Sequence, residues 1–274
     1  MIRLLALLAL VASAPLAAQT AVETPLDRVL SAVVQPDGRV DYGLLARSHR
    51  ADLDAALEAV AEQDPAALRS DAQKTAFLLN AYNARVLERV LAHPRATNLE
   101  RQGLFDAFFQ TPFRIAGTRA TLNQVEHGAL RRQSRVDGGG VPAGLRALRP
   151  SRVDARIHVG LNCAAISCPR LQPRAFTART LDATLDRAMA EWTGSARFAR
   201  MDDGTLVLSS LVDWFGTDWQ TSRRPLGDAL LAAMPASRRD AAAIRARLEG
   251  KTHAQLKADR GIRYADDWAV NRAR

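Results

Sequence analysis

The stretch SDAQKTAFLLNAYNARVLERVLAH, residues 70–93, decides the fold because its apolar residues recur with the period of an α-helix. Ser70 and Asp71 are residues that commonly cap a helix N-terminus, and Pro94 directly follows the last turn. These signals predict one long amphipathic helix between the cap and the proline. A helix of this length is expected to pack its apolar face against the rest of the domain.

Two asparagines occupy positions in this helix where apolar residues are expected. Asn80 lies in the middle of the apolar stripe to which Phe77 and Leu87 belong, and Asn83 lies at its edge. A buried amide without a hydrogen-bond partner costs about 1–3 kcal/mol, so each asparagine needs a partner. Either these amides bond neighbouring backbone and fix the packing, or they line or brace a functional site.

A second predicted helix, TLNQVEHGALRR at residues 121–132, begins with a threonine–glutamine capping box. Glu126 falls inside its apolar stripe, and His127 lies on the shoulder of that stripe. A carboxylate on a core-facing position needs a partner, because removing its charge from water is costly. The partner is an arginine, or Glu126 orients an imidazole such as His158 from another segment, or it stays protonated in a pocket.

The segment RIHVGLNCAAISCP, residues 156–169, contains both cysteines of the chain. The alternation in its first half predicts a strand with His158 and Asn162 on the polar face. Three interpretations of Cys163 and Cys168 remain open. A disulfide would close a small loop with a gain of roughly 2 kcal/mol. A zinc clip would need an unusual spacing, and a reactive thiol would need a nearby cation, histidine or helix N-terminus.

The N-terminus carries the signals of export. Arg3 precedes a short apolar run, and small residues follow it, so we expect a signal peptide at residues 1–18 that is cleaved after Ala18. The remainder, residues 19–274, is expected to form a single domain. No later segment approaches the roughly 20 apolar residues of a membrane span. The sequence therefore predicts a periplasmic or secreted protein without a transmembrane segment.

The net charge of +9 comes almost entirely from arginine, since Lys74, Lys251 and Lys257 are the only lysines. The arginines are spread along the chain and interleaved with acidic residues, which indicates a solvated surface rather than a nucleic-acid-binding face. We therefore expect no nucleic-acid partner. We also expect no cofactor and no bound metal, which leaves an unidentified ligand or substrate as the partner.

Most other segments have helical periodicity, and few have the pattern of strands. Hairpins are predicted around Ala116–Gly117 and at the Asp-Asp-Gly turn of residues 196–209. Helices are predicted at residues 42–63 and 180–194, and a surface loop at residues 136–151. The predicted fold class is α+β: a helix-rich single domain with a small, mostly antiparallel sheet.

Four motifs together resemble one known family. AFLLNAYNARVL, LNQVEHGALR, ARIHVGLNCAAISCPRL and DWAVN occur in this order, and they resemble the bacterial domain of unknown function 547 across roughly residues 30–271. The chain departs from the family pattern at Asp266, where an aromatic residue usually precedes DW. The resemblance places the family's hallmark positions at Asn80, Tyr82, Asn83, Glu126, His127, His158, Asn162, Cys163, Ser167, Cys168, Pro169, Asp267, Trp268 and Asn271.

The inventory of cysteine, histidine and carboxylate is similar to that of papain- and transglutaminase-like thiol enzymes. It favours a thiol-dependent hydrolase or acyl transferase that acts on amide or ester bonds, with Cys163 as nucleophile and His127 as general base. Glu126, Asn80 or His158 would orient the imidazole. Backbone N–H groups of NCAAISC would stabilise the oxyanion. The alternative is a non-catalytic binding or structural module with a buried polar network and a local disulfide. The further candidate binding residues are Asn80, Asn83, His158, Asn162 and Cys168.

Overall fold

The computed structural model describes residues 14–273. Most of the predicted signal peptide, residues 1–13 of 1–18, lies outside the described residues. Within the described range no helix is both long and apolar enough to cross a membrane. The helices are α1 Ala14–Val33, α2 Tyr42–Ser48, α3 Arg50–Glu62, α4 Asp71–Ala92, α5 Ala143–Ala147, α6 Ile157–Gly160, α7 Leu181–Thr193, α8 Ser210–Trp219, α9 Leu226–Ala233, α10 Ala241–Leu248 and α11 His253–Ala258.

Helix α4 is the central element, and its predicted limits are confirmed. Ser70 caps it through a capping box with Gln73, whose side chain accepts a hydrogen bond from the Ser70 backbone N–H. Helices α1, α2 and α3 pack against α4, and this packing buries most of its length. The helix predicted at residues 42–63 is divided at His49 into α2 and α3.

In the described part of the chain, three small sheets complete the fold. The strands are β1 Phe113–Ile115, β2 Thr118–Ala120, β3 Arg135–Val136, β4 Gly139–Gly140, β5 Ala199–Asp202, β6 Thr205–Ser209 and β7 Ile262–Ala265. All pairings are antiparallel except that of β6 with β7. Both predicted hairpins are confirmed, and each turns through two residues of positive φ, as at Ala116 (47°) and Gly117 (72°). The prediction of a helix-rich α+β fold is confirmed.

Two local predictions were wrong. The strand predicted at residues 156–162 is the helical turn α6, followed by extended chain from Leu161. Alternation cannot distinguish a strand from a turn that is buried on all sides, and every residue of α6 is buried. A Cβ atom at Gly160 would lie 3.1 Å from methyl groups of Leu79 and Leu185, so the glycine permits this close packing. The loop predicted at residues 136–151 contains the β3–β4 hairpin and α5.

Helix α6 joins the two apolar clusters of the domain. The larger cluster surrounds α1, α3 and α4 and includes Ile157. The smaller cluster surrounds α7, α8, α9 and β6 and includes Val159. His158 lies between these two residues in sequence, with its side chain only 1% exposed. The fold therefore places a buried imidazole at the junction of the two clusters.

Candidate active site

One cavity, of about 140 Å³, brings together residues that are far apart in the sequence. The walls come from α4, the π-helix Gln124–Leu130, α6, α8 and the loop that carries the cysteines. The structure thus brings five predicted site residues around one space: Glu126, His127, His158, Cys163 and Cys168. The remaining lining residues are Tyr82, Phe109, Asn123, Leu161, Pro169, Leu211, Trp214, Phe215 and Trp268.

The π-helix follows directly from the predicted capping box. Thr121 Oγ1 accepts a hydrogen bond from the Gln124 N–H at 3.1 Å, and Gln124 Oε1 accepts one from the Thr121 N–H at the same distance. A π-helix has a wider turn than an α-helix and occurs often at functional sites. In this segment consecutive residues, Glu126 and His127, both reach the cavity.

A carboxylate from α8 fixes the orientation of the buried imidazole. His158 Nε2 donates to Asp218 Oδ2 at 2.8 Å, and the His158 ring stacks on Phe215 with 4.1 Å between centroids. Arg131 Nε donates to the same Asp218 oxygen at 2.6 Å. Although burial opposes it, hydrogen bonds from His158 and Arg131 lower the pKa of Asp218 to about 2. Asp218 is therefore ionised, and it holds the His158 proton on Nε2.

The other ring nitrogen of His158 has no hydrogen-bond partner in the described part of the chain. Nδ1 is buried, and among residues 14–273 no group forms a hydrogen bond with it. The nearest acidic oxygen is Glu126 Oε1, at 3.8 Å, which is too far for a direct hydrogen bond. Burial lowers the pKa of His158 despite the opposing Asp218. The imidazole is therefore neutral near pH 7, and the lone pair on Nδ1 is not used by any described residue.

Glu126 is a largely buried acid, with its side chain 13% exposed, near that nitrogen. Burial raises the pKa of its carboxyl group, while His127, Arg131 and a hydrogen bond from Tyr82 act in the opposite direction. The Tyr82 hydroxyl donates to Glu126, and burial followed by this carboxylate raises the pKa of the phenol well above its usual value. Both Glu126 and His158 can thus exchange a proton with a group bound between them.

The second imidazole has a different hydrogen-bond pattern. Arg131 Nη1 lies 3.3 Å from His127 Nδ1, and because a guanidinium can only donate, this nitrogen of His127 accepts. The proton of neutral His127 is therefore on Nε2. Burial lowers the pKa of His127, with Glu126 opposing and Arg131 assisting the shift. His127 presents an N–H donor, whereas His158 presents an acceptor.

The two cysteines form a disulfide, which settles one of the alternatives left open by the sequence. Cys163 and Cys168 are bonded, with their Cα atoms 6.3 Å apart, and both line the cavity. In this state neither cysteine carries a thiol. In the part of the chain that the structure describes, no group of three or more His, Cys, Asp or Glu side chains could hold a metal ion.

The asparagines brace the site from outside the cavity. Asn83 Nδ2 donates to the Gly160 carbonyl at 2.9 Å, and its Oδ1 accepts from the Asn162 N–H at 2.9 Å. Asn162 continues the network to the disulfide loop and to Asn271. Asn80 bonds both backbone groups of Phe176 instead. None of the three candidate binding asparagines, Asn80, Asn83 and Asn162, lines the described cavity.

Sequence reasoning missed Asp218 and Arg131. Both belong to the site only through contacts across the fold, such as the 60-residue separation between His158 and Asp218. One signal could have drawn attention to α8: the segment DWFGTDW, residues 213–219, combines two carboxylates with three aromatic residues. Phe215 and Trp214 from this segment form one wall of the cavity.

Replacing Glu126 with glutamine should stabilise the fold at pH 8 by about 1–3 kcal/mol, because a neutral amide avoids the cost of burying a charge. The pKa of Glu126 is raised in the folded state. In wild type the charged carboxylate therefore lowers the free energy of unfolding above that pKa, and this loss disappears as the pH falls below the pKa of Glu126 in the unfolded chain. Urea unfolding at pH 8 and pH 4 measures this effect. The free energies of unfolding of the variant and of wild type should differ at pH 8 and be equal at pH 4.

Glu62→Gln is the matched control, since Glu62 is exposed at the end of α3 and should change stability by less than about 0.5 kcal/mol at either pH. Equal destabilisation of Glu126→Gln at both pH values would show that the carboxylate is not buried in its charged form.

The comparisons with known proteins agree with the motif resemblance. The model of the family described as "Protein of unknown function, DUF547" matches residues 66–193. This range contains the cysteine loop, both imidazoles of the cavity and Glu126, whereas α8 and the C-terminal DWAVN motif lie beyond it. No curated protein and no solved structure matches the chain, so the likeness to papain- or transglutaminase-like enzymes stays a prediction. Over residues 66–193 the chain therefore matches the family of proteins of unknown function DUF547.

Proposed function

We propose that the cavity is the active site of a thiol-dependent hydrolase or acyl transferase that acts on amide or ester bonds, with Cys163 as the nucleophile when the disulfide is reduced. The supporting observation is that the cysteine pair and an imidazole with a free, buried Nδ1 line the same cavity. A cysteine nucleophile requires a nearby base, and the base in turn requires an orienting group. His158 and Asp218 have this arrangement.

The hydrogen bonds favour His158 over His127 as the general base. Asp218 keeps the His158 proton on Nε2, so Nδ1 is free to accept a proton from the thiol. The corresponding nitrogen of His127 already accepts from Arg131, and its remaining N–H suits stabilisation of a developing oxyanion. The sequence prediction of His127 as base is therefore revised in this proposal, and Cys163 keeps its role.

Two backbone donors remain for the oxyanion in the cysteine loop. The N–H groups of the other residues between 162 and 168 donate to protein acceptors, for example Ile166 to Ala269. Within the described structure, the N–H groups of Cys163 and Ala165 have no such acceptor. Of the two residues, Cys163 lines the cavity, and its N–H together with the N–H of His127 supplies the donors that we assign to the oxyanion.

The reaction begins when an external dithiol reduces the disulfide and leaves in its own oxidised form. His158 Nδ1 then takes the proton of the Cys163 thiol, and the thiolate attacks the substrate carbonyl carbon to form a C–S bond. Collapse of the tetrahedral intermediate breaks the C–N or C–O bond, and the leaving group takes the proton from His158. Water, or another acceptor in a transferase, attacks the thioester and transfers its proton through His158 to the departing sulfur.

Two serine variants test the proposal. Cys168→Ser leaves Cys163 unpaired, so it should hydrolyse p-nitrophenyl acetate without reductant, whereas wild type should require dithiothreitol and Cys163→Ser should be inactive in both conditions. Alkylation by iodoacetamide, followed by mass spectrometry, should be at least tenfold faster at Cys163 of this variant than for an ordinary peptide thiol at pH 6.5. A thiol of ordinary reactivity in Cys168→Ser would refute the assignment of Cys163 as the nucleophile.

A second candidate function is a non-catalytic binding or structural module. The observation that favours it is that both cysteines are paired and the buried amides are bonded to backbone groups. In that case Cys163→Ser and Cys168→Ser would behave alike, and both would lose stability by about 2 kcal/mol through the opened loop. Urea unfolding of the two variants in parallel with the kinetic assay distinguishes the candidates.

We also propose that the protein works in the periplasm or outside the cell. The disulfide supports this location, because disulfides persist in oxidising compartments and are rare in the cytosol. The reductant would then be an exported dithiol protein. Alkylation of intact cells with a membrane-impermeant maleimide, after mild reduction, should label Cys163 if the location is correct. Labelling only after lysis of the cytoplasmic membrane would contradict it.

A further inference from the structure

A larger cavity, of about 730 Å³, lies away from the candidate active site. It is bounded by α1, α7 and the connecting residues 170–180, and we call it the arginine groove. Its lining includes five arginines and three carboxylates, so positive side chains outnumber negative ones. Between them lie small or hydroxyl-bearing side chains such as Thr177, Thr180 and Thr184. The charged lining residues are Glu23, Asp27, Arg28, Arg170, Arg174, Arg179, Arg187 and Glu191.

Two of the five arginines are neutralised by carboxylates. Arg28 binds Asp52 at 2.7 Å, and Arg174 binds Asp27 at 2.9 Å. The other three, Arg170, Arg179 and Arg187, form no salt bridge to any residue between 14 and 273. The groove therefore concentrates positive charge that the described part of the protein does not balance.

The position of Arg170 in the fold is energetically unfavourable. Arg170 Nε is buried and has no hydrogen-bond partner among the described residues. Gly38, at a φ of 81°, lies against the Arg170 side chain, and a Cβ atom at this position would be 2.5 Å from Arg170 Cγ. Arg170 also lies close enough to Arg197 to affect its pKa: burial lowers the pKa of Arg197, Asp37 raises it, and the charges of Arg39 and Arg170 lower it further. A bound anion would offset this unfavourable accumulation of positive charge.

We propose that the arginine groove binds the phosphate groups of a multiply charged anion. A guanidinium donates two parallel hydrogen bonds to phosphate, and three arginines on two elements can contact more than one phosphate group. The volume lies within the range of small-molecule sites. The hydroxyl group of Thr184, which accepts from Arg187 at 3.4 Å, can donate to the anion as well. This inference does not depend on the thiol chemistry, because the groove and the candidate active site share no lining residue.

Isothermal titration calorimetry with sodium tripolyphosphate tests the proposal on the full-length protein. Arg179 and Arg187 are exposed, so the double variant Arg179→Gln/Arg187→Gln should fold normally. We expect one saturable site in wild type and at least tenfold weaker binding in this variant. The control, Arg223→Gln/Arg245→Gln, removes the same charge from exposed arginines outside the groove and should bind within twofold of wild type.

Flotation with phosphatidylglycerol vesicles, and with phosphatidylcholine vesicles as the neutral reference, distinguishes a lipid headgroup from a free phosphate compound. Binding to phosphatidylglycerol that depends on Arg179 and Arg187, without tripolyphosphate binding, would support the phosphate chemistry and assign it to a lipid. Equal losses in the groove variant and the control variant would overturn the proposal, because they would indicate unspecific attraction to the net charge. Absence of binding to tripolyphosphate and to both vesicles would overturn it as well.

Discussion

Replacing Asn162 with alanine is expected to lower the free energy of unfolding by about 3–5 kcal/mol. The Asn162 side chain is buried and makes three hydrogen bonds: it donates to the Pro169 carbonyl at 2.8 Å, and it accepts from the Ala164 N–H at 3.0 Å and from Asn271 Nδ2 at 3.2 Å. Alanine would leave all three partners buried without a replacement. Each orphaned group costs about 1–3 kcal/mol, and the three share one loop, so the sum is not fully additive.

Urea unfolding followed by circular dichroism, with the disulfide intact, measures this effect. Asn98→Ala is the matched control, because the Asn98 side chain accepts one local hydrogen bond, from the Arg101 N–H, near the surface. Asn98→Ala should lower the free energy of unfolding by about 1 kcal/mol or less. A stability change for Asn162→Ala no larger than that of the control would show that the asparagine network does not hold the cysteine loop.

Replacing Asp218 with asparagine is expected to reduce kcat for ester hydrolysis by about 100- to 1,000-fold, with KM nearly unchanged. Asp218 Oδ2 accepts from both Arg131 Nε and His158 Nε2, so the amide oxygen of the variant would keep this position and the His158 proton would stay on Nε2. The variant would lose the negative charge that stabilises the imidazolium formed when His158 Nδ1 takes the thiol proton. His158 would therefore be a weaker general base in the proposed mechanism.

The pH profile separates this positioning role from a structural one. Asp218 raises the pKa of His158 against the effect of burial, so its removal should move the acid limb of the residual activity to lower pH. Asp213→Asn is the control, since Asp213 lies on the same helix and pairs with Lys257 at 2.6 Å. Comparable losses of kcat in both variants, or an unchanged acid limb in Asp218→Asn, would remove Asp218 from the mechanism.

Helix α4 shows which part of the fold the sequence could predict. Its cap at Ser70, its apolar period and the following Pro94 are local signals, and the observed helix Asp71–Ala92 agrees with them. The hairpin turn at Ala116–Gly117 is also local, because two residues of positive φ specify it. In contrast, α6 depends on packing: Gly160 lets the turn approach Leu79 and Leu185, and no periodicity within the segment carries that information.

In the candidate site, too, only the residues with a local signal in the sequence were predictable. Glu126 was identifiable because a carboxylate on an apolar stripe conflicts with the local pattern, and the structure places it in the cavity. The partner of His158 was not identifiable, because Asp218 occupies an ordinary position near the end of α8 and acquires its role only through a contact across the fold. Likewise, the sequence left the roles of the asparagines open, and only the bonds of Asn83 and Asn162 show that they brace the loop.

The asparagine network also constrains when the site can form during synthesis. The Asn271 backbone N–H donates to the Ala164 carbonyl, and its side chain accepts from the Tyr42 hydroxyl at 2.7 Å. A nascent chain that has not yet released residue 271 from the ribosome therefore cannot complete the bonds around the cysteine loop. Until then the two cysteines, which are five residues apart in sequence, are not held by the folded domain, so the cavity assembles only after residue 271 has left the ribosome.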